Sequence, residues 1–306
     1  MSGISVVIPV KDGEDKISQC LEAVFNQTIK PFEVIVVDGH SRDKTVDIAS
    51  RFPVRVLYEN YGTVGGGRQV GTNSAKGDFV AFTDVDCIPA RNWLEYLIKE
   101  FDEGIIGVGG GIKNIGDGLW NNSIALALDS FLGSANSVQD RLLKEKRFVR
   151  SISGCNSMYK RTELIAVGGF NVHFSVNEDT EINKRLANFG NLLYTPHAIV
   201  FHNQDRDLVE FTRRIYSFGF GRGVHQLFDL HVLPPILGLI TLSFLFVNRD
   251  LFIFMIALYV TILVCYDLLI FSKSKNPKYL ISIPIIFVLE HVSYAIGFWV
   301  GLLKSL

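Results

Sequence analysis

Ile4-Ser5-Val6-Val7-Ile8-Pro9-Val10 runs straight into Lys11-Asp12-Gly13, and this opening stretch decides the fold. An apolar run of that length, cut off by a turn signal, is what a parallel strand buried on both faces requires. Ile17, Cys20, Leu21, Val24 and Phe25 then recur at the spacing of one helix face. A second apolar run, Phe32–Val37, stops at Asp38-Gly39. A short helix follows with Val46 and Ala49 inward, then a strand at Val54–Tyr58. A helix over Gly66–Ala75 precedes a strand at Phe79–Thr83, which runs into Asp84-Val85-Asp86. Strands alternating with helices predict a doubly wound α/β domain on a parallel sheet. Ligands of such sheets sit beyond the carboxyl ends of the strands. Pro9-Val10, Asp38 and Asp84-Val85-Asp86 fall there, on three separate strands.

Charge is unevenly spread along the 306 residues. The 30 basic and 31 acidic groups nearly cancel, so there is no footprint for nucleic acid. Residues 231–306, however, carry only Arg249, Asp250, Asp267, Lys273, Lys275, Lys278, Glu290 and Lys304, and the mean hydropathy of the whole chain is +0.26. A soluble-type domain followed by an apolar tail argues against a purely soluble enzyme. Cys20, Cys87, Cys155 and Cys265 form no CxxC and no Cys/His pair at metal-ligand spacing, which disfavours zinc and a disulfide framework. No Lys or Arg precedes Ile4–Val10, so it reads as a strand, not a signal peptide, and the first domain is expected in the cytosol.

Three apolar segments make up the tail: 232–247, 251–271 and 279–303. At ~1.5 Å per residue the last two cross a hydrocarbon layer of about 30 Å, and the first, opened by Pro234-Pro235, is marginal. Lys273, Lys275 and Lys278 cluster in the second link. With the first domain cytosolic, three spans place that link inside, as positive-inside topology expects. The expected organisation is therefore a catalytic domain over 1–205, an amphipathic interfacial segment over 206–231 and a multi-pass membrane domain over 232–306.

Asp84 and Asp86, one residue apart at a strand's end, suit a hard divalent cation, Mg²⁺ or Mn²⁺, bridging a diphosphate. The bland alternative is a solvated acidic pair. Glu178 and Asp179 stand in or just before the first turn of a helix with Ile182, Leu186 and Phe189 inward, where acids are also favoured by the helix dipole. Gly107–Gly111 lacks the residues of a phosphate loop and reads better as a glycine-rich strand under a close neighbour.

In order, VVIPVKDG, VIVVDGHSRDKT, GGGRQVGTNSAKGDFVAFTDVDC, SGCNSMYKR, VGGF and NEDTEINKRL resemble family 2 glycosyltransferases of the GT-A fold, over roughly residues 3–230. The membrane-anchored branch that builds polyprenyl-linked glycans and exopolysaccharides is the most similar. The resemblance implies that Pro9, Asp12, Asp38 and Arg68 line the nucleotide-sugar pocket. It implies that Asp84 faces the ribose and metal side, and that Asp86 holds the metal. Asp179 would be the general base with Glu178 supporting it, and His202 a further metal ligand, the alternative being a structural histidine. The chain departs from the family's common pattern at Lys11-Asp12-Gly13, at His40 and at Gln69.

The implied activity is inverting, metal-dependent transfer from a nucleotide-sugar to a polyprenyl- or dolichyl-phosphate carrier, or to a glycan on that carrier. A hydroxyl nucleophile must lose a proton to a carboxylate base, whereas a lipid phosphate is already ionised and depends on basic residues. Arg213, Arg214, Arg222 and Asn156 are the candidates for the acceptor's phosphate. Leu208, Phe211, Ile215 and Phe218 recur at helical spacing among those arginines, so an amphipathic helix at the lipid interface is expected. Gly219, Gly221 and Gly223 are expected to end or loosen it before Arg222. The alternatives are arginines attracted merely to anionic lipid, a polysaccharide synthase that extrudes its product, and an inactive nucleotide-sugar-binding scaffold. Glu290-His291, midway along the last apolar segment, is either a functional pair or a packing one.

Overall fold

A computed structural model describes residues 3–134, 137–139, 141–203 and 206–306. Contacts divide the chain into two units, Met1–Lys113 with Ser137–Asn203, and Asn114–Asn136 with Gln204–Leu306. Residues 114–136, inside the span expected as one domain, therefore group with the tail. The expected boundary at 205/206 lies outside the described residues.

The first unit begins β1 (Ile4–Val10), α1 (Ile17–Phe25), β2 (Glu33–Asp38), α2 (Thr45–Ala49), β3 (Arg55–Tyr58), α3 (Val64–Ser74) and β4 (Phe79–Phe82). It continues with β5 (Cys87–Pro89), α4 (Trp93–Lys99) and β6 (Ile105–Ile115), whose last two residues already belong to the second unit. Two helices of that unit, α5 (Gly118–Leu128) and α6 (Phe131–Ser134), come next. The chain then returns through β7 (Arg147–Val149), β8 (Ser157–Lys160), α7 (Arg161–Ala166), α8 (Glu178–Leu186) and β9 (Asn191–Asn203).

One sheet runs β3-β2-β1-β4-β8-β6-β9-β5, with β7 on β9. Strands β3 to β4 are parallel, as the alternating pattern predicts, but β8 pairs antiparallel to β4, and β6–β8, β5–β9 and β7–β9 are antiparallel too. The sheet is thus mixed, not wholly parallel. Strands of three or four residues such as β5, β7 and β8 are too short to display a period.

Alternation along the buried strands covers both faces. Val6, Ile8, Val34 and Val36 pack with Ile17, Leu21 and Val24 of α1. Val7, Ile35 and Val37 pack with Leu164, Ile182 and Leu186 of α7 and α8. Helix α3 closes on β1 because it is rich in glycine: a Cβ on Gly71 would stand 2.2 Å from Val7 Cγ1. Gly107–Gly111 lies within β6, and a Cβ on Gly110 would stand 2.0 Å from Ala198 O, so the glycines admit a neighbouring strand.

In the second unit α9 (Leu208–Val224) is followed by α10 (Leu233–Val247), α11 (Arg249–Ser274) and α12 (Tyr279–Lys304). Leu230–Val247, Arg249–Ser274 and Tyr279–Lys304 are long and apolar enough to cross a membrane. The expectation that α9 ends before Arg222 is wrong. Gly219 and Gly223 face α12, where a Cβ would meet Tyr294 O and Phe298 O at 2.2 Å. Reciprocally, a Cβ on Gly297 or Gly301 would meet Tyr216 O or Phe220 O at 2.2 Å. Close packing of two backbones outweighs the poor helix propensity of glycine. The apolar face of α9 is also not left for lipid: Phe211 and Ile215 join Ile124, Ala127, Leu263, Ile283, Ile286 and Phe287 in one cluster.

Candidate active site

Strand ends of the first unit carry the candidate residues. Asp84 and Asp86 follow β4, and the short β5 turns back to pair with β9, setting Cys87 opposite His202. Asp86 Oδ2 consequently lies 3.4 Å from His202 Nε2. Ligand atoms of Asp86, Cys87 and His202 all lie within 4.8 Å of one another. The carboxylate oxygen suits Mn²⁺ or Mg²⁺, whereas the imidazole nitrogen is a more typical donor to later transition metals. Cys87 is a softer donor that the sequence reading missed, because the ladder, not chain spacing, makes the Cys/His pair. Burial pushes the Cys87 thiol up. Asp84 stands outside this group of ligands.

Arg68, on α3, is 2% exposed and lies between acids from distant parts of the chain. Its Nη2 donates to Asp84 Oδ1 at 2.7 Å and its Nη1 contacts Glu178 Oε1. Burial alone would lower its pKa, but the facing Asp84 and Asp179 carboxylates and Cys155 raise it above the ordinary arginine value. Arg68 was expected to contact the nucleotide. In the structure it is enclosed between Asp84 and Glu178, on the helix that also bears Asp179.

Asp179 sits in the first turn of α8 and accepts the Gly154 amide on Oδ2 at 2.9 Å. Asn177, at the N-cap of this helix, is in left-handed backbone at φ +61° and makes no side-chain cap, while Asp179 Oδ1 accepts the Thr180 amide of the first turn at 2.7 Å. Glu178 and Asp179 thus bond to Arg68 and Gly154 and do not serve merely as caps. Gly154 itself presses on the guanidinium, since a Cβ there would meet Arg68 Cζ at 2.5 Å. The Ser153–Ser157 loop therefore links Arg68 and Asp179.

Asn156, expected at the acceptor phosphate, is fully buried. Its Oδ1 accepts from Trp93 Nε1 at 2.7 Å and its Nδ2 donates to Gly111 O and Ala198 O, each at 2.9 Å. That amide bridges β6 and β9 with both its N–H groups used and no exposed surface, which corrects the expectation. Gln69 is explained the same way: its Oε1 accepts the Phe170 amide at 2.6 Å, tying α3 to the Gly168-Gly169-Phe170 turn.

The ends of β1 and β2 form a braced rim. Asp38, 1% exposed, accepts from Ser41 Oγ and Ser41 N at 2.5 and 3.0 Å. Ser41 Oγ in turn accepts the Asp12 amide, and Asp12 Oδ1 accepts the Arg42 amide at 2.7 Å. Asp12 at φ +51° and His40 at φ +58° share the left-handed backbone of Asn177. Strained residues of this kind cluster where loops are held for a ligand. Half-buried Pro9, next to last in β1, lies beneath α3, with a Cβ on Gly67 3.0 Å from its Cβ. Sequence reading also passed over Glu59, a buried acid just after β3, whose Oε2 accepts the Tyr61 and Gly62 amides at 2.7 and 2.9 Å. An acid ending an apolar strand was the signal, as at Asp38.

Arg213, Arg214 and Arg222 lie on α9, in the other unit. Arg213 is exposed, and Arg214 stacks over Phe218 at 5.3 Å. Arg222 is buried and paired with Asp229. Burial raises the pKa of Asp229, but His231 and Arg222 outweigh it and hold it at about 2.

The family described as "Glycosyl transferase family 2" matches residues 5–168. A Methanococcus voltae protein named dolichyl N-acetyl-alpha-D-glucosaminyl phosphate 3-beta-D-2,3-diacetamido-2,3-dideoxy-beta-D-glucuronosyltransferase is 28% identical over 100% of this chain and 98% of its own length. Glycosyltransferase AglE of Haloferax volcanii is 27% identical over 72% of each chain. Among solved structures, the mannosyltransferase PcManGT from Pyrobaculum calidifontis, in complex with GDP-Man and Mn²⁺, superposes with a TM-score of 0.60 at 17% identity, covering 99% of this chain and 87% of that one. S. aureus TarS 1–349 in complex with UDP gives 0.52 at 17% identity, covering 97% and 90%. These structural likenesses establish the fold.

Proposed function

We propose that this chain, which belongs to glycosyl transferase family 2, moves a sugar from a nucleotide-sugar to a hydroxyl of a dolichyl- or polyprenyl-phosphate-linked glycan, inverting the anomeric centre. The observation that carries this reading is the linkage of Asp84, Arg68 and Glu178, with Asp179 anchored beside them on Gly154. Acids from β4 and α8 meet there around one guanidinium. The full-length likeness to a transferase named for a dolichyl-linked sugar supports the acceptor class.

Asp86 and His202 are the residues that would hold Mn²⁺ or Mg²⁺, with Cys87 at their side. Bound there, a cation would supply charge neutralisation for a diphosphate leaving group. Asp179 takes the proton from the acceptor hydroxyl, and the Gly154 amide fixes the carboxylate for that task. Arg68 and Glu178 set the spacing between the donor-side and base-side carboxylates. The braced rim at Asp12, Asp38 and Ser41 bounds the nucleoside. A sugar already on a lipid phosphate offers a neutral hydroxyl, which is the nucleophile that needs a base. The apolar helices of the second unit anchor the enzyme in the membrane, with the catalytic unit on the cytosolic side.

The test is transfer by the purified full chain in detergent with Mn²⁺. Labelled nucleotide-sugars are offered with either a short polyprenyl phosphate or the same lipid bearing N-acetylglucosamine, and products are read by mass spectrometry. Extension of the sugar-bearing lipid is expected. Donor binding without transfer to either lipid would replace this reading with that of an inactive nucleotide-sugar-binding scaffold.

A further inference from the structure

Residues 118–134 read Gly-Leu-Trp-Asn-Asn-Ser-Ile-Ala-Leu-Ala-Leu-Asp-Ser-Phe-Leu-Gly-Ser, and Asp129 is their sole charge. They leave the sheet of the first unit after β6 and group with the apolar helices. Asp129 itself accepts from Asn114 Nδ2 at 2.8 Å. Contacts of α5 and α6 with α12 follow an orderly progression. Ser123 Oγ bonds Ser282 Oγ at 2.7 Å, Ile124 and Ala127 pack with Ile283, Ile286 and Phe287, and Leu132 O lies 3.3 Å from His291 Nε2. A Cβ on Gly133 would stand 3.2 Å from Glu290 Oε2. At ~1.5 Å per residue, Ser282 is about 4.5 Å and His291 about 18 Å along α12 from Tyr279. Where α12 spans the bilayer, α5 and α6 therefore reach to about the middle of a hydrocarbon layer of about 30 Å.

We propose that residues 118–134 are a re-entrant membrane element, inserted beside α12 from the face at which α12 starts, with Trp120 and Phe131 toward lipid. This inference rests on the reading of α11 and α12 as membrane spans. Irregular backbone at such depth must have its polar groups satisfied within the protein. The turn between α5 and α6 meets part of that demand with its own groups. Asp129 N and Ser130 N donate to Ala125 O and Ala127 O, Gly133 N to Ser130 Oγ, and Ser134 N and Oγ to Ser130 O. Trp120 and Phe131 remain 37% and 52% exposed, large apolar side chains suited to acyl chains and the headgroup boundary. The assignment also accounts for Glu290-His291. His291 is held between Leu132 O and Tyr259 Oη, the latter at 3.0 Å, and Glu290, 6% exposed, faces the turn at Gly133. The costly ionisable pair thus lies against the inserted turn instead of lipid.

Site-directed spin labelling of the full chain in phosphatidylcholine–phosphatidylglycerol nanodiscs tests this. Labels are placed through W120C and F131C, with V260C on α11 and F32C on the first unit as references, all in a C265S background. Collision with oxygen, which partitions into lipid, is compared with collision with a water-soluble nickel chelate. Trp120 and Phe131 positions are expected to match Val260, with oxygen favoured several-fold, while Phe32 shows the reverse. If W120C and F131C match F32C while V260C reads as lipid, the re-entrant element is overturned and the spans stand. If V260C also reads as water, the membrane assignment falls and this inference with it.

Discussion

Asp86 Oδ2 and His202 Nε2 lie 3.4 Å apart because β5 folds back on β9. A carboxylate at the end of one strand and an imidazole on another thus stand close enough to share one cation. Replacing His202 by Ala is expected to weaken Mn²⁺ binding roughly 10–100-fold, the range seen when the surroundings of a metal site are disturbed, and Asp86→Ala at least as much. Titration of free Mn²⁺ by electron paramagnetic resonance reads this without relying on turnover. Chelation with EDTA should abolish transfer and added Mn²⁺ restore it. An unchanged dissociation constant in His202→Ala would return that residue to a structural role.

Arg68 is the most consequential single side chain of the candidate site. Arg68→Met leaves Glu178, which is 6% exposed, and Asp84 without their shared cation. Removing one partner of a buried ion pair costs about 3–5 kcal/mol. Thermal unfolding of the variant should drop accordingly and transfer should vanish. Arg68→Lys keeps the charge but cannot fork to both acids, so it should recover part of the stability and little of the activity. Equal stability of Arg68→Met and wild type would contradict the pairing.

Asp179→Asn keeps one oxygen for the Gly154 amide, gives up the second acceptor that Thr180 N uses, and has no basicity. Transfer to a hydroxyl acceptor should fall by roughly 10²–10⁴, the usual contribution of a positioned base, with donor binding and circular dichroism unchanged. Wild-type rates would remove Asp179 from the mechanism. If the acceptor is a lipid phosphate, the loss should be much smaller.

The crossing of α9 with α12 admits no side chain at Gly219 or Gly297. Gly297→Val adds methyl groups where even a Cβ would stand 2.2 Å from Tyr216 O. Overpacking of a filled contact costs about 1–3 kcal/mol, and more where backbone blocks relief. The variant should lose thermal stability in detergent, whereas Gly238→Val, with nothing within 4 Å of the added Cβ, should not. Equal melting of both variants would argue against the tight crossing.

Much of the fold was legible because its signals are local. The run Ile4–Val10 and the helix face from Ile17 to Phe25 became β1 and α1 with the same bounds. Period and turn chemistry act on neighbouring residues, so they survive in one dimension. Asn156 shows the limit. Its motif marks a polar residue near the strand ends, but burial of its whole amide against Trp93 of α4, Gly111 of β6 and Ala198 of β9 depends on three separate elements. The glycines of α9 mislead for a related reason: propensity describes an isolated helix, and α12 supplies the packing that overrides it.

By itself the sequence determined the alternation of strand and helix, the acids that end β2 and β4, and the apolar segments long enough for a membrane, since each depends on composition and spacing along the chain. Tertiary structure decided that the sheet is mixed, that Arg68 joins Asp84 to Glu178, that Cys87 and His202 face each other, and that residues 118–134 leave the catalytic unit for the helices. Those outcomes depend on which distant segments share a ladder or a packed face, and burial and hydrogen-bond satisfaction set them only once the whole chain has folded.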